Sequence, residues 1–455
     1  MSSTGTYAPQ PAATRALAAP APAHALVAAV ILGLFLLAAI VSAARKDITQ
    51  GFDEVAHVSY VALIQHTGNA RPALESMRLL DPRTFQFTGA ANYLNHPPKF
   101  YALLAMLGPT LEGHPQALLA HRLIDVAMTG AGFVALLGLG LVARFSRQEF
   151  YAYAVPLACI PVLVPLAGAV NNDNLAFCGG AIATLGVWQL LATPLPSLPR
   201  SRGREGGGIW LALALIGVVA AGWAKLTGLL LTAAMVTGVI AYLLWRKRLT
   251  GSHAWTWTIA AVIVFALAAT PYFEYILRYG SPTPETPAQI ALIADGARVA
   301  GWADLPRKSF PGYLGYFIGA FVADWMPTLG ARSIFNYAML AIPVAALACA
   351  LAGLALSLRR LWRRQETALD AVVGAGALAL AATFAIHVAY SYGRYVATGW
   401  LMDAYPRYYL PLAAIVPLAC LSLLAAIETP RWRAGLAAFL VVGPVIFRIF
   451  GAPLG

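Results

Sequence analysis

Residues 25–44 read ALVAAVILGLFLLAAIVSAA, an apolar run without a single charged side chain. Coiled as an α-helix, about 20 such residues match the hydrocarbon thickness of a bilayer. The run is too long for the apolar core of a secretory signal peptide and lacks a convincing cleavage site, so it reads as a true span. Ten further runs follow at 120–143, 150–170, 175–193, 209–222, 226–245, 254–275, 335–357, 369–390, 409–427 and 433–450. The expected fold class is therefore an all-α polytopic membrane protein with about 11 transmembrane helices. A shorter, proline-interrupted run at 99–111 reads as an interfacial helix, one of the juxtamembrane helices expected in the first long loop.

Composition agrees with the patterning. Of 455 residues, 60% are hydrophobic and 11% charged, whereas a soluble protein carries about 25% charge. No soluble core could bury that apolar surface, so membrane lipids are its expected surroundings. The net charge of +12 would suggest nucleic acid in a soluble chain. Here it fits Lys and Arg gathering in cytoplasmic loops, and no nucleic-acid partner is expected. Cys159, Cys178, Cys349 and Cys420 all sit in apolar stretches without a CxxC pair, so they read as small buried hydrophobes. Residues 1–24, rich in Ala, Pro and Thr, read as a disordered cytoplasmic tail, and 25–455 as one transmembrane domain.

The basic clusters set an orientation. Arg144/Arg147, Arg200/Arg202/Arg204, Arg246/Lys247/Arg248, Arg359/Arg360/Arg363/Arg364 and Arg431/Arg433 fall in alternate loops. Placing all of them in the cytoplasm puts the N-terminus inside and the C-terminus outside. The opposite loops include two long ones, 45–119 and 276–334, which hold most of the acidic residues. His57, His66, His96, His114 and His121 lie in or beside the first. Long loops gathered on one face are where function concentrates. The chain has no internal repeat, which weighs against a transporter built from duplicated halves.

Five short stretches on that outer face could carry chemistry. In Gly51-Phe-Asp-Glu-Val-Ala-His-Val-Ser-Tyr60, Asp53 and Glu54 stand at an expected helix start, with His57 one turn after Asp53. Carboxylates also cap helices, so one reading is an interfacial helix with an acidic start. The other is a general base that takes the proton of an attacking hydroxyl. Asn95-His-Pro-Pro-Lys-Phe-Tyr101 brings His96 and Lys99 to the same depth, although its prolines and aromatics alone suit a turn and an aromatic belt. Val170-Asn-Asn-Asp-Asn-Leu175 carries Asp173, among residues that are also ordinary turn formers. In Ala224-Lys-Leu-Thr227, Lys225 interrupts a long apolar stretch; it either snorkels to the interface or serves function. Ser391-Tyr-Gly-Arg-Tyr395 and Asp403-Ala-Tyr-Pro-Arg-Tyr-Tyr409 set Arg394 and Arg407 among tyrosines, Tyr408 included, where guanidinium groups could clamp a phosphate.

The order of these motifs resembles the GT-C superfamily of polyprenyl-phosphate-sugar glycosyltransferases, which includes protein O-mannosyltransferases and lipid A aminoarabinose transferases. Phe-Asp-Glu-x-x-His at 52–57 is similar to the first-loop signature of the O-mannosyltransferases and their bacterial relatives. Asn-His-Pro-Pro-Lys-Phe-Tyr is similar to a "(K/N/H)-x-P-P-L-Y-Y" segment, and Asn172-Asp173-Asn174 stands where relatives carry an acid. Ala-Lys-Leu-Thr-Gly resembles a "T-K-G/K-P-T" turn, and Pro-Arg-Tyr-Tyr-Leu-Pro at 406–411 resembles "G-R-Y-L-L-P". The likeness covers roughly 45–230 and 390–415.

The resemblance implies an inverting transfer of a sugar from a polyprenyl-phosphate carrier to an acceptor hydroxyl on a lipid, glycan or protein. Asp53 would be the base, and Glu54 would support it or contact the acceptor. Lys225, Arg394 and Arg407 would neutralise the donor phosphate. His57, His96, Lys99, Asp173 and Tyr408 would complete the substrate site. Some relatives use a divalent cation, for which Asp53, Glu54, His57 and Asp173 would be the ligands to consider. A sizeable soluble C-terminal domain, present in some members, is not expected, so acceptor recognition would fall to loops 60–119 and 276–334. The expected location is a bacterial inner membrane with the site facing the periplasm. The competing reading is a transporter or flippase of lipid-linked saccharides, which would have no need of Asp53.

Overall fold

A backbone in hydrocarbon must satisfy its N–H and C=O groups within its own segment, so each long apolar run should coil into one helix. The computed structural model describes residues 22–192, 206–324, 341–401 and 404–451 and is mostly helical. In chain order the first half comprises α1 (Pro22–Arg45), α2 (Glu54–Thr67), α3 (Lys99–Leu107), α4 (Leu118–Val142), α5 (Arg147–Ala158), α6 (Leu163–Ala167), α7 (Asp173–Ala192) and α8 (Gly206–Ala224). The second comprises α9 (Leu226–Trp245), α10 (Gly251–Tyr279), α11 (Pro287–Val299), α12 (Phe310–Asp324), α13 (Ala341–Trp362), α14 (Ala368–Thr398), α15 (Ile415–Ala426) and α16 (Pro430–Ile446). Of the expected tail, residues 1–21 lie outside the described residues, and α1 already begins at Pro22.

Among the described residues, 9 helices are long and apolar enough to cross a bilayer: α1, α4, α7, α8, α9, α10, α13, α14 and α16. A tenth is bent by 62° between a 3₁₀ turn, Pro406–Leu412, and α15. The expected span at 150–170 departs from a single helix: it is α5 and α6, two short pieces. Pro156, Pro161 and Pro165 explain the break, because each removes a backbone donor and crowds the preceding turn. The chain still changes ends here. The 25 residues of α4 carry it about 37 Å, and α5 with α6 returns it to the start of α7. The first long loop holds α2 and α3, as expected of juxtamembrane helices. It also contains a small antiparallel hairpin of β1 (Arg78–Leu80) and β2 (Phe87–Ala91), an exception to the all-α expectation.

Two ends can be told apart. At one, Arg246 pairs with Glu366 and Arg433 with Glu149, which gathers four of the basic clusters together. The Arg200/Arg202/Arg204 cluster lies outside the described residues. At the other end stand α2, α3, the start of α7 and the turn between α8 and α9. Close packing fixes that turn: Cβ atoms at Gly179 of α7 and Gly217 of α8 would lie 2.4 Å from Ala221 N and Gly179 O. Small residues allow such approach between membrane helices, and the antiparallel pair brings Asp173 beside Lys225. Gly180 does the same for the 3₁₀ turn, since a Cβ there would lie 2.1 Å from Pro411 O. The cysteines are free thiols, Cys178 and Cys420 buried and Cys159 and Cys349 partly so.

Candidate active site

Lys46 follows α1, and five residues later the chain turns sharply. Gly51, Phe52 and Asp53 have φ of 79°, 61° and 57°, three successive left-handed residues of which two carry side chains. Such backbone persists only where its surroundings over-determine it, and it clusters at functional sites. Asp53 occupies the N-cap position of α2 yet makes no side-chain capping bond. Its Oδ1 accepts from the Tyr93 hydroxyl at 3.1 Å, and its Oδ2 lies 3.4 Å from Arg407 Nη2. The helix-cap reading of Asp53 is thereby set aside. Its side chain is 47% exposed. Burial, then the Asp53 carboxylate, pushes the Tyr93 phenol above its ordinary range, so Tyr93 stays protonated as a donor.

The neighbouring carboxylate points elsewhere. Glu54 takes a bidentate pair from Arg122, Nε to Oε1 at 2.7 Å and Nη2 to Oε2 at 2.8 Å. Val170 N–H donates to Oε1 at 2.9 Å, and Lys46 Nζ lies 3.4 Å from Oε2. The Glu54 side chain is 0% exposed. It joins α1, α2, α4 and the start of the Asn-rich turn, and it offers no surface for the acceptor contact expected of it.

Asp173 opens α7 and is buried. Lys225 Nζ donates to its Oδ1 at 2.9 Å, and Arg407 Nε stands 3.4 Å from its Oδ2. Lys225 also lies over the Tyr408 ring at 3.4 Å from the centroid, and Arg407 over Phe52 at 5.5 Å and Tyr405 at 5.2 Å. Arg407 therefore spans two carboxylates, Asp53 and Asp173. Neither its Nε nor Asp173 Oδ2 makes a hydrogen bond, although both atoms are buried. Buried polar atoms normally find a partner, and here the two face each other as an ion pair without a hydrogen bond.

His57 is buried with both ring nitrogens engaged. The Asn171 amide N–H lies 3.1 Å from Nε2, which assigns the proton to Nδ1 and makes it the donor to the Tyr101 oxygen at 2.9 Å. His96 stacks on His57 with centroids 5.8 Å apart, and its carbonyl accepts from Tyr275 at 2.7 Å. Burial, followed by the Lys225 charge, holds both imidazoles well below their usual range. Lys99 lies over the Trp223 ring at 5.4 Å. Arg394 pairs with Glu285 at 2.8 Å and with the Tyr390 hydroxyl.

The structure thus gathers Asp53, Asp173, Lys225, Arg407 and Tyr408 into one cluster, with His57 and His96 behind it. Tyr93, Arg122 and Asn171 were missed in the sequence. Arg122 was detectable, since an ionisable side chain within an apolar run calls for a partner. Tyr93 had no signal beyond its place two residues before Asn95. As for a divalent cation, no three His, Cys, Asp or Glu side chains converge among the described residues. Glu54 and His57 are committed elsewhere, and a guanidinium already stands between Asp53 and Asp173. That donor set does not fit a metal ion.

No protein-family model matches the sequence, and no curated protein does. Solved structures do resemble the fold. ArnT from Cupriavidus metallidurans in the apo state is 13% identical over 91% of this chain and 62% of its own, with a TM-score of 0.51. The same ArnT bound to undecaprenyl phosphate gives 15% identity, 91% and 62% coverage, and 0.48. The archaeal oligosaccharyltransferase AglB from Archaeoglobus fulgidus, in complex with an inhibitory peptide and a dolichol-phosphate, gives 15%, 95% and 57%, and 0.49. The chain therefore spans less than two thirds of the length of these proteins. With its helix order, juxtamembrane α2 and α3 and long apolar helices, it is an all-α multi-pass membrane protein whose fold is similar to that of ArnT.

Proposed function

We propose that the protein is an inverting glycosyltransferase that moves a sugar from a polyprenyl-phosphate carrier to an acceptor hydroxyl. The observation that carries this reading is the geometry of Asp53. It is a half-exposed carboxylate at a helix start that caps nothing and shares Arg407 with the buried Asp173–Lys225 pair. A base and a phosphate-binding cation are thus held a few ångströms apart.

The acceptor oxygen attacks the anomeric carbon as the bond from that carbon to the carrier phosphate breaks. The hydroxyl proton passes to Asp53, and the bonding electron pair leaves on the phosphate oxygen. Arg407 and Lys225 stabilise that developing charge. One base suffices for inversion, which sets the site apart from the carboxylate pair of a retaining glycosidase. Asp173 keeps Lys225 and Arg407 in place, and Tyr93 orients the base. Glu54 holds the frame through Arg122. No step is assigned to a metal ion. The acceptor is a lipid, glycan or protein hydroxyl met through loops 60–119 and 276–334, and the site faces the periplasm of a bacterial inner membrane.

Asp53→Asn tests the reading, because the amide keeps the size and cannot take the proton. Turnover should fall roughly 10²–10⁴-fold while undecaprenyl phosphate still binds. Near-normal transfer by this variant would reject Asp53 as the base.

A further inference from the structure

One amide links the two acidic turns of the site. Asn171 Nδ2 donates to the Phe52 carbonyl at 2.9 Å and lies 3.1 Å from His57 Nε2. Its Oδ1 accepts from Asp173 N–H at 2.8 Å, and its own N–H donates to Asp125 Oδ2 at 3.1 Å. Asn171 is 1% exposed and His57 2%. These contacts leave both side chains no free nitrogen to offer a substrate.

The Phe52 carbonyl belongs to the peptide that enters Asp53, in the middle of the left-handed turn. A relaxed N-cap residue takes extended backbone and turns its carboxylate onto the N–H of the second or third helical residue. Asp53 does neither, and its carboxylate faces Tyr93 and Arg407. The bond from Asn171 to Phe52 O restrains the peptide that would have to rotate. The bond from Asn171 to Asp173 N–H ties the same restraint to the Lys225 side of the site. Tyr101, stacked on Tyr60 with centroids 4.1 Å apart, fixes the far side of His57.

We propose that Asn171, braced by His57, is a positioning residue that keeps Asp53 out of its helix-capping conformation and aimed at Arg407. This rests on the reading of Asp53 as the base, but the structural part of its test does not.

In an experimental structure of Asn171→Ala, the Asp53 carboxylate should move from Tyr93 and Arg407 onto the N–H of Val55 or Ala56. An unmoved carboxylate overturns the proposal. Kinetics give the second arm, with polyprenyl-phosphate mannose, glucose and arabinose offered as donors. Asn171→Ala should lower kcat at least tenfold with donor KM within about twofold, and add no further loss in an Asp53→Asn background. Full multiplication of the two losses would mark general structural damage and overturn the proposal. If Asn171→Ala does not fold, the His57 pair decides: His57→Leu should lose kcat, and His57→Gln, which can accept from Asn171 and donate to Tyr101, should recover most of it. Equal loss in both would overturn it. Should Asp53→Asn itself stay active, the base reading fails, while the carboxylate position still reports on Asn171.

Discussion

Arg407 follows Asp53 by 354 positions in the chain, yet its Nη2 stands 3.4 Å from the Asp53 carboxylate. The same guanidinium reaches Asp173 through Nε. Both contacts are longer than the 2.7–2.9 Å of a good charge-assisted hydrogen bond, so an incoming phosphate can take Arg407 without breaking a tight pair.

Removal of that cation should weaken the carrier. Arg407→Ala and Lys225→Ala are each expected to reduce undecaprenyl phosphate affinity by about 1.5–3 kcal/mol, the range of a charged hydrogen bond. Arg394→Ala should cost less, because Arg394 is engaged by Glu285. Titration of folded protein in detergent measures all three. Unchanged affinity in both Arg407→Ala and Lys225→Ala would remove the phosphate site from this cluster.

Glu54 should matter for folding and not as a base. It is buried against Arg122, and loss of one partner of such a pair costs about 3–5 kcal/mol. Arg122→Met and Glu54→Gln should both unfold at lower temperature. The double variant Glu54→Leu with Arg122→Met should recover part of the loss, since neither half of the Arg122–Glu54 pair is then left without the other, although Lys46 still loses its carboxylate partner. Thermal unfolding, read beside turnover per folded molecule, checks this. A stable but inactive Glu54→Gln would transfer the base role to Glu54.

Stability should fall in mild acid. Burial holds His57 and His96 well below the ordinary 6.5. The unfolded chain then binds more protons than the native one between the depressed native pKa values and 6.5. Stability therefore rises with pH in that window, is fully present above it, and is lost as pH falls. The apparent Tm should drop from pH 7.5 to pH 5, and His57→Gln should flatten the slope. An equal slope in that variant would place the effect elsewhere.

Sidedness has a direct assay. Ala70 and Gln365 are exposed at opposite ends of the helical bundle. In intact cells, Ala70→Cys should react with an impermeant maleimide, and Gln365→Cys should react only after lysis. The reverse pattern would turn the site toward the cytoplasm.

Asp53, Asp173, Lys225 and Arg407 were all legible as residues of one membrane face, because span parity and basic loops are readable along the chain. Their division of labour was not. Asp53 and Glu54 are adjacent carboxylates and look equivalent in a string. Successive residues around a helix start point in different directions, and one meets Tyr93 and Arg407 while the other meets Arg122.

Hydropathy is a local property, and it was enough to establish the membrane class, the apolar runs and the long loop that carries Asp53. It could not show that prolines break 150–170 into α5 and α6, since run length ignores backbone donors. Nor could it show which cation meets which acid. Those pairings depend on distances between segments from 52 to 354 residues apart, set by the close approach of α7 to α8 at Gly179 and to the Pro406–Leu412 turn at Gly180. Ion pairs and a single amide bridge form only where packing brings their atoms within a few ångströms. Packing of that kind is a property of the folded bundle, not of any one stretch of chain.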